Sequence, residues 1–272
     1  EIFREIRDMN SPFFTADNLR AGYGKKIILE NICFSLEQGT VTGLLGANGS
    51  GKSTLLKVLC QQLSYQGCCR FMGQPLNALS HRKLAKTVSY IPQRSGISLS
   101  LPVIDVVLMG FNPGLKLLER PAARERNAAR QALAAVGLPQ RDEEDYLSLS
   151  EGQKQLCILA RTIVENTPLL FLDEPDSALD FHNKYRILQT LRGLVSHQER
   201  AALVCLHDPN LALHFCDQLL LLKDGRCIAS LHPAADALVR MQSAFSEIYG
   251  PVSLIPCTDN KGRKRLMLLS EI

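Results

Sequence analysis

Hydrophobic and polar positions near the start of the chain alternate with the two-residue period of half-buried strands. The segments FFTADNL and NICFSLEQG show this alternation. The apolar run VTGLL, Val41 to Leu45, follows a Gln-Gly turn and reads as a fully buried strand. The pattern therefore predicts an antiparallel β subdomain that leads into a core strand.

The middle of the chain changes to a helical period. After the Gly-rich stretch GANGSGKST, apolar residues fall on one face of a helix, at Leu55, Leu56, Val58, Leu59 and Leu63. CCRFMG and TVSYI are predicted strands on either side of a short helix that begins at Ser80. From Pro102 to about Pro168 the pattern is helical, and the Ala-rich run PAARERNAARQALAAVGL has high helix propensity. We expect a helical insertion there.

Wholly apolar strands return after this insertion, in PLLFLDEP and AALVCLH. Helices are predicted from about Asp180 to His197 and from Asp208. QLLLLKDGRCIASL reads as a hairpin that turns at Asp224 and Gly225, and RLMLLS in the C-terminal tail as a last short strand. Apolar strands that alternate with helices indicate an α/β fold with a mostly parallel sheet covered on both faces.

Composition and charge narrow the picture only a little. The 272 residues are 46% hydrophobic and 21% charged, as in an ordinary globular protein. The formal net charge of +4 is too small to indicate a nucleic-acid partner, and the cluster KGRKR reads as a solvated turn. Nine cysteines without a C-x-x-C pair favour free thiols in a reducing cytosol.

The ends of the chain and its apolar runs carry two further expectations. No apolar run reaches the ~18 residues of a membrane-spanning helix, so we expect none. MNSPFFTADNL reads as a native start at Met9, with residues 1–8 as an upstream extension; the alternative is that residues 1–8 are native.

The Gly-rich stretch carries the clearest chemistry. GANGSGKS fits the pattern G-x-x-x-x-G-K-S, between a buried strand and a helix, as a phosphate-binding loop requires. Its backbone N–H groups would surround phosphate oxygens, Lys52 would neutralise the β and γ phosphates, and the Ser53 hydroxyl would ligate Mg²⁺. The alternative is a Gly-rich turn before a helix. The predicted ATP-binding residues are Gly46, Ala47, Asn48, Gly49, Ser50, Gly51, Lys52, Ser53 and Thr54.

An acidic strand end is the second candidate. LLFLDEP ends in Asp173, suited to binding Mg²⁺, and Glu174, suited to acting as the general base on water. Three other residues, Gln93 after SYIP, His207 at a strand end and Tyr23 in AGYGKK, are as compatible with structural roles when each is taken alone.

The order of these motifs, with LSEGQ and SALD between them, resembles the ATP-binding cassette (ABC) ATPases over nearly the whole chain. The resemblance implies that Tyr23 stacks on adenine and that Gln93 contacts Mg²⁺ and the water. Ser177 to Asp180 would form the D-loop, and His207 would be the switch histidine. The implied catalytic residues are Glu174, His207, Gln93 and Lys52. The implied magnesium ligands are Ser53, Gln93 and Asp173. The implied signature motif is Leu149, Ser150, Glu151, Gly152 and Gln153.

The resemblance also implies one ABC ATPase domain over residues 9–272. Its expected parts are an antiparallel β subdomain with a core strand (9–45), a RecA-like core (46–93 and 168–243), a helical subdomain (94–167) and a C-terminal tail (244–272).

In this family the signature motif faces the P-loop of a second cassette. One P-loop and one signature therefore imply a head-to-tail dimer with two ATP molecules between two copies. Three further segments, GQPLNALSHRKLAKTVSYIPQ, SLPVIDVVLMG and FSEIYGPVSLIP, are similar to the ATPase subunits of bacterial importers for iron-siderophores, haem and cobalamin.

In those importers the ATPase sits at the cytoplasmic face of the bacterial inner membrane. A polytopic permease would dock near Gln93 to Gly110, with an external binding protein delivering the cargo, and no nucleic acid is expected.

Two departures leave questions open. Glu151 stands where the signature has Gly; we expect its carboxylate to point outward, with hydrolysis retained. MGFNPG replaces the pattern that follows MG in the importers, so the docking edge can differ. The alternatives are an ATPase of an exporter or of another importer, a nucleic-acid-handling ABC ATPase, for which the helical region is too short to hold a long coiled coil, and a non-hydrolysing regulator.

Overall fold

The computed structural model of the chain describes residues 12–115, 119–196 and 199–271. The expected native start at Met9 and the expected helix end at His197 lie outside these residues. The chain forms two compact units, one from the residues up to Leu79 together with those from Ala201 onward, the other from Ser80–Arg200. All nine cysteines are free thiols.

The first unit begins with an antiparallel sheet, as predicted. Its elements are β1 (Phe14–Tyr23), β2 (Lys26–Leu36), β3 (Val41–Leu45), α1 (Lys52–Leu59), β4 (Tyr65–Phe71) and β5 (Gln74–Pro75). The sheet order is β2-β1-β4-β5. The hairpin β1–β2 is longer than its alternation indicated, and it turns at Gly24, which has φ 58°. Helix α1 stops short of the predicted Leu63 because Gln61 adopts a left-handed φ of 58°.

The second unit contains the predicted helical segment. Its elements are α2 (His81–Ala85), β6 (Val88–Ile91), α3 (Val103–Leu108), α4 (Ala123–Val136), α5 (Glu151–Glu165), β7 (Leu169–Asp173) and α6 (Phe181–Ser196). Ser80 caps α2, where its hydroxyl accepts a bond from the Lys83 N–H at 3.4 Å. Strands β6 and β7 pair in parallel. At Gly110 a Cβ would lie 2.7 Å from the Arg161 carbonyl oxygen, so only Gly permits this approach to α5.

The chain then returns to the first unit. Its remaining elements are β8 (Ala201–Cys205), α7 (Pro209–Phe215), β9 (Gln218–Lys223), β10 (Arg226–Leu231), α8 (Leu238–Tyr249), β11 (Val252–Thr258) and β12 (Lys264–Ser270). Strand β3 lies between β8 and β9 and is parallel to both, and β10 pairs antiparallel with β9. The turn between β9 and β10 falls at Asp224 and Gly225, with φ 48° and 75°, as predicted.

The C-terminal tail differs from the prediction. Helix α8 was not predicted, and the expected start of the tail at residue 244 lies inside it. Met241, Ala244 and Phe245 are buried on the inner face of α8. The predicted last strand is present as β12, but it pairs with β11 in a hairpin that the sequence reading missed.

The outer edges of this hairpin are held by side-chain amides. Asn210 donates to the Leu268 carbonyl at 3.1 Å and accepts from the Leu268 N–H at 2.7 Å. On the other edge, Gln242 accepts from the Leu254 N–H at 3.3 Å. Helices α7 and α8, which carry these amides, therefore hold the hairpin by its backbone.

Burial accounts for the composition of the core strands. Strands β3 and β8 of the first unit and β7 of the second are buried at every position, which explains why their residues are apolar except for Thr42 and the terminal Asp173. Among the described residues no helix is long and apolar enough to cross a membrane.

Candidate active site

The loop between β3 and α1 has the backbone that a phosphate-binding loop needs. Gly49 and Gly51 have φ of 81° and 107°, which side-chain-bearing residues rarely adopt. At Gly46 a Cβ would lie 2.3 Å from the Leu222 carbonyl oxygen and 2.6 Å from the Ser50 hydroxyl. The glycines at these positions are therefore required by geometry, as in loops whose backbone N–H groups bind anions.

Two sources of positive charge meet at the start of α1: the N-terminus of the helix and the Lys52 ammonium. Its N-cap, Gly51, supplies no side-chain cap to the first helical N–H groups, and the N-terminus of a helix attracts anions. Lys52 is only 5% exposed. Its ammonium donates to the carbonyl oxygens of Gly46 at 2.8 Å and Ala47 at 3.2 Å, and among the described residues no carboxylate pairs with it. A buried cation with neutral partners fits a polyphosphate ligand.

His207 emerges at the same strand edge as this loop. Leu44 of β3 is opposite Cys205 of the parallel strand β8, and the Leu206 N–H donates to the Leu44 carbonyl at 3.2 Å. Because parallel strands end at one edge of a sheet, His207 and Gly46 leave the sheet side by side. The imidazole is exposed.

Tyr23, the predicted adenine-stacking residue, lies at the end of β1 with its ring 48% exposed. The Lys57 ammonium of α1 lies 6.0 Å from the ring centroid, so the ring stands beside the helix that follows the loop. An exposed aromatic face near the loop is compatible with stacking on a base.

In the second unit, Gln93 and Glu174 meet at the carboxyl edge of β6 and β7. Ile91 of β6 is opposite Leu172 of β7, and each candidate lies two residues further on. The Gln93 amide donates to a Glu174 carboxylate oxygen at 2.6 Å. The parallel register thus brings together two residues that are 81 positions apart in the sequence.

Glu174 has an unusual backbone. Its φ is 50°, in the left-handed region that Glu seldom occupies, and the residue is 9% exposed. Residues held in this region cluster at functional sites. Asp173, 5% exposed, ends β7, and the Tyr90 hydroxyl donates to its carboxylate at 3.4 Å. Two buried carboxylates at one strand end fit metal and water chemistry better than a structural role.

The predicted signature motif opens α5. Ser150 is the N-cap: its hydroxyl accepts from the Gln153 N–H at 3.3 Å, and the Gln153 side chain accepts from the Ser150 N–H at 3.0 Å. The Glu151 side chain is 66% exposed and its carboxylate pairs with Lys154 at 2.8 Å. The carboxylate therefore turns along its own helix and outward, in agreement with the expectation.

Gly152 is packed against the predicted D-loop. A Cβ at Gly152 would lie 3.0 Å from the Leu179 side chain and 3.2 Å from the Ala178 carbonyl oxygen. Asp180 caps α6, where its carboxylate accepts from the Asn183 N–H at 2.8 Å. Gly152, the one Gly of the sequence LSEGQ, thus lets the loop of residues 177–180 sit against the start of α5.

Comparisons with known proteins place these motifs in a family. The ABC transporter family matches residues 29–177. The hemin import ATP-binding protein HmuV of Bordetella bronchiseptica is 39% identical over 232 residues, which are 82% of this chain and 87% of the relative. HmuV of Aliivibrio fischeri is 35% identical and covers 91% of this chain and 94% of its own length.

The chain belongs to the ABC transporter family. It therefore carries an ABC ATPase domain, as the motif order indicated. The predicted α/β fold class is likewise confirmed. A solved ABC transporter of the metal-chelate type, in an inward-facing conformation, has a TM-score of 0.80 at 24% identity and covers 96% of this chain and 99% of its own. A dimeric ATP-binding cassette bound to ADP and phosphate has a TM-score of 0.72 at 24% identity, over 82% of this chain and 100% of its own.

The ABC motifs are assembled within each unit. The first unit brings the predicted P-loop and the predicted switch histidine to one edge. The second brings the predicted Q-loop residue, Gln93, onto Glu174, and the predicted D-loop onto the helix that begins with the predicted signature. The sequence reading missed Gln155, whose amide donates to the Gln93 carbonyl at 2.7 Å. In the sequence Gln155 shows only as a polar residue among apolar positions of α5. In the structure it is 5% exposed.

Proposed function

We propose that the chain is the ATP-hydrolysing subunit of an importer for an iron chelate, with hemin as the first candidate cargo. The two HmuV relatives are named for hemin import, and a Helicobacter pylori relative, 34% identical over 77% of this chain, is named for iron chelatin transport. The observation that carries hydrolysis is the buried carboxylate of Glu174 held by the Gln93 amide at 2.6 Å.

The residues of the chain divide the chemistry. Backbone N–H groups of the P-loop and the Lys52 ammonium bind the phosphates, and Tyr23 stacks on the base. Glu174 orients a water and accepts its proton, while the Gln93 amide fixes the carboxylate and His207 contacts the γ-phosphate. Ser53, Gln93 and Asp173 are the residues that would hold Mg²⁺, which would supply positive charge to the phosphates. These oxygen donors, a hydroxyl, an amide and a carboxylate, are of the kind that Mg²⁺ takes.

Partners follow from the same proposal. Two copies pair head to tail, so that Ser150 and the first N–H groups of α5 cap the nucleotide of the other copy. A separate permease docks near Gln93 to Gly110, where Leu99 is 68% exposed. An external binding protein supplies the cargo, and the subunit works at the cytoplasmic face of the membrane. Capping, closure and reopening would drive the permease.

The test uses Glu174→Gln, which keeps the size of the side chain and removes the base. We expect ATP turnover to fall at least ~100-fold, while ATP with Mg²⁺ traps a dimer visible by size-exclusion chromatography with light scattering. Glu143→Gln, on an exposed loop residue of the second unit, is the matched control and should hydrolyse ATP like the wild type. A Glu174→Gln chain that stays monomeric with ATP would contradict the mechanism.

The cargo is tested in cells. Deletion of the gene should reduce uptake of radiolabelled hemin, and wild type but not Glu174→Gln should restore it. Uptake of a ferric siderophore or cobalamin is measured in parallel. Loss of one of these instead of hemin would retain the ATPase role and replace the cargo.

A further inference from the structure

Gln155 is a buried amide whose position only the second unit's tertiary structure explains. It lies on α5, five residues after Ser150, and is 5% exposed among apolar neighbours on the same face, Leu156 and Leu159. Its side-chain N–H donates to the Gln93 carbonyl at 2.7 Å. The bond joins the helix that begins with the signature to the first residue of the Q-loop.

Among the described residues, the Gln155 side chain makes this one hydrogen bond. The Gln155 carbonyl oxygen is buried and accepts no hydrogen bond from the described residues. Burying an amide with an unpaired acceptor costs free energy that an apolar side chain of similar volume would avoid. The contact with Gln93 is therefore the one favourable polar interaction that offsets this cost.

A continuous connection runs onward from Gln155. Its amide holds the Gln93 backbone, and the Gln93 side chain holds the Glu174 carboxylate at 2.6 Å. Ser150 and Gly152 stand at the start of the same helix, so a shift of α5 moves the anchor of Gln93. Two hydrogen bonds thus link the signature helix to the general base.

We propose that Gln155 is a positioning residue that couples the two ATP sites of the dimer. The inference rests on the proposed function. The signature of one copy caps the nucleotide of the other, whereas Glu174 acts on the nucleotide bound by its own chain. Gln155 therefore transmits capping at one site to the alignment of Glu174 for the other, which makes hydrolysis cooperative in ATP.

The experiment compares Gln155→Met with Thr162→Val in the full chain. Met has a similar shape and no donor. Thr162, 1% exposed on the same helix, donates to the Ile158 carbonyl at 3.1 Å and does not bond to Gln93, so its Val variant loses a buried hydrogen bond without cutting the connection. ATP turnover is measured over a range of ATP concentrations, together with the melting temperature.

We expect the wild type and Thr162→Val to hydrolyse ATP with a Hill coefficient above ~1, and Gln155→Met to lose this cooperativity with a fall in kcat of about tenfold. Nucleotide affinity of the monomer should not change. A double-mutant cycle adds a readout that a structural role would not move: Gln155→Met should have no further effect in a Gln93→Met chain, because the connection is already cut.

Several outcomes would overturn the inference. One is a Gln155→Met chain whose kcat and Hill coefficient match those of Thr162→Val. Another is a double mutant in which the effects of Gln93→Met and Gln155→Met on turnover add. A third is a wild type that hydrolyses ATP without cooperativity. If the Met variant does not fold, Gln155→Asn, too short to reach Gln93, replaces it and is expected to behave alike. A wild type that fails to hydrolyse ATP counts instead against the proposed function.

Discussion

Two pairs of parallel strands end in candidate functional residues, and the chemistry of the two sets is opposite. The edge of β3 and β8 in the first unit carries a Gly-rich loop, a buried ammonium and an imidazole. The edge of β6 and β7 in the second unit carries two buried carboxylates and an amide. The same strand geometry thus presents backbone donors at one edge and acids at the other.

The difference lies in how each edge obtains specificity. At the first edge the proposed binding groups are mainly backbone N–H groups, so glycines with positive φ angles and the close approach of Gly46 to Leu222 decide the geometry. At the second edge the acting groups are side chains, each fixed by a neighbour: Glu174 by Gln93, and Gln93 by Gln155. Substitution at the first edge should therefore affect nucleotide binding, and substitution at the second should affect the rate of hydrolysis.

The largest effect is expected at the first edge from Lys52→Met. The change removes the only buried ammonium that the described P-loop offers to phosphate. Because hydrogen bonds to charged groups contribute about 1.5 to 3 kcal/mol each, we expect ATP affinity to fall roughly 100-fold. The rise in melting temperature that ATP gives the wild type should disappear.

Lys264→Met, on the exposed side of the C-terminal hairpin, is the control for loss of a positive charge. It should bind ATP like the wild type. If Lys52→Met binds ATP normally and only hydrolyses it slowly, the division of labour between the two edges is wrong.

An intermediate effect is expected at the second edge from Gln93→Met. Glu174 loses the amide that donates at 2.6 Å, and its carboxylate can rotate away from the water. We expect kcat to fall about tenfold with little change in KM, as for loss of one hydrogen bond that acts in the transition state. Steady-state kinetics give both constants. Gln189→Met, on the exposed face of α6, should leave both unchanged, and a Gln93→Met chain with a raised KM alone would assign Gln93 to binding.

The smallest effect is expected at the start of α5, from Glu151→Gln. The carboxylate is exposed and paired with Lys154, so it should neither repel a phosphate nor slow hydrolysis. We expect ATP turnover to change less than about twofold, and the free energy of unfolding to fall by at most ~0.5 kcal/mol through loss of an i,i+3 pair. A severalfold rise in turnover would instead identify the carboxylate as a brake.

Local pattern was sufficient for much of the fold. Strands such as VTGLL and AALVC were predicted because every position is buried and therefore apolar. Helix α8 was missed although Leu238, Met241 and Phe245 have helical spacing, because its residues were divided between the expected core, which ended at residue 243, and the expected tail, which began at residue 244. The partner strand β11 was missed because its identity depends on pairing with β12, whose paired residues lie between six (Thr258 with Lys264) and 18 (Val252 with Ser270) positions further along the chain.

The candidate site could be predicted as residues but not as contacts. Motif order gave Lys52, Gln93 and Glu174 from the sequence, because each stands beside a strand or a helix of a recognisable pattern. The left-handed φ of Glu174 has no sequence signal. Gln155 escaped notice because its hydrogen bond goes to a carbonyl 62 residues away, which is a matter of packing and not of local pattern.

The amides of Asn210 and Gln242 have a consequence for behaviour at high concentration. A two-stranded sheet has two free edges, and open edges recruit strands of other chains. At the pair Leu254 and Leu268, the N–H and carbonyl of Leu268 bond to Asn210 and the N–H of Leu254 bonds to Gln242. Each amide bonds where a third strand would otherwise pair. The hairpin exposes Ile255, Met267 and Leu269 on its surface, and at these positions of its edges it is protected from edge-to-edge polymerisation.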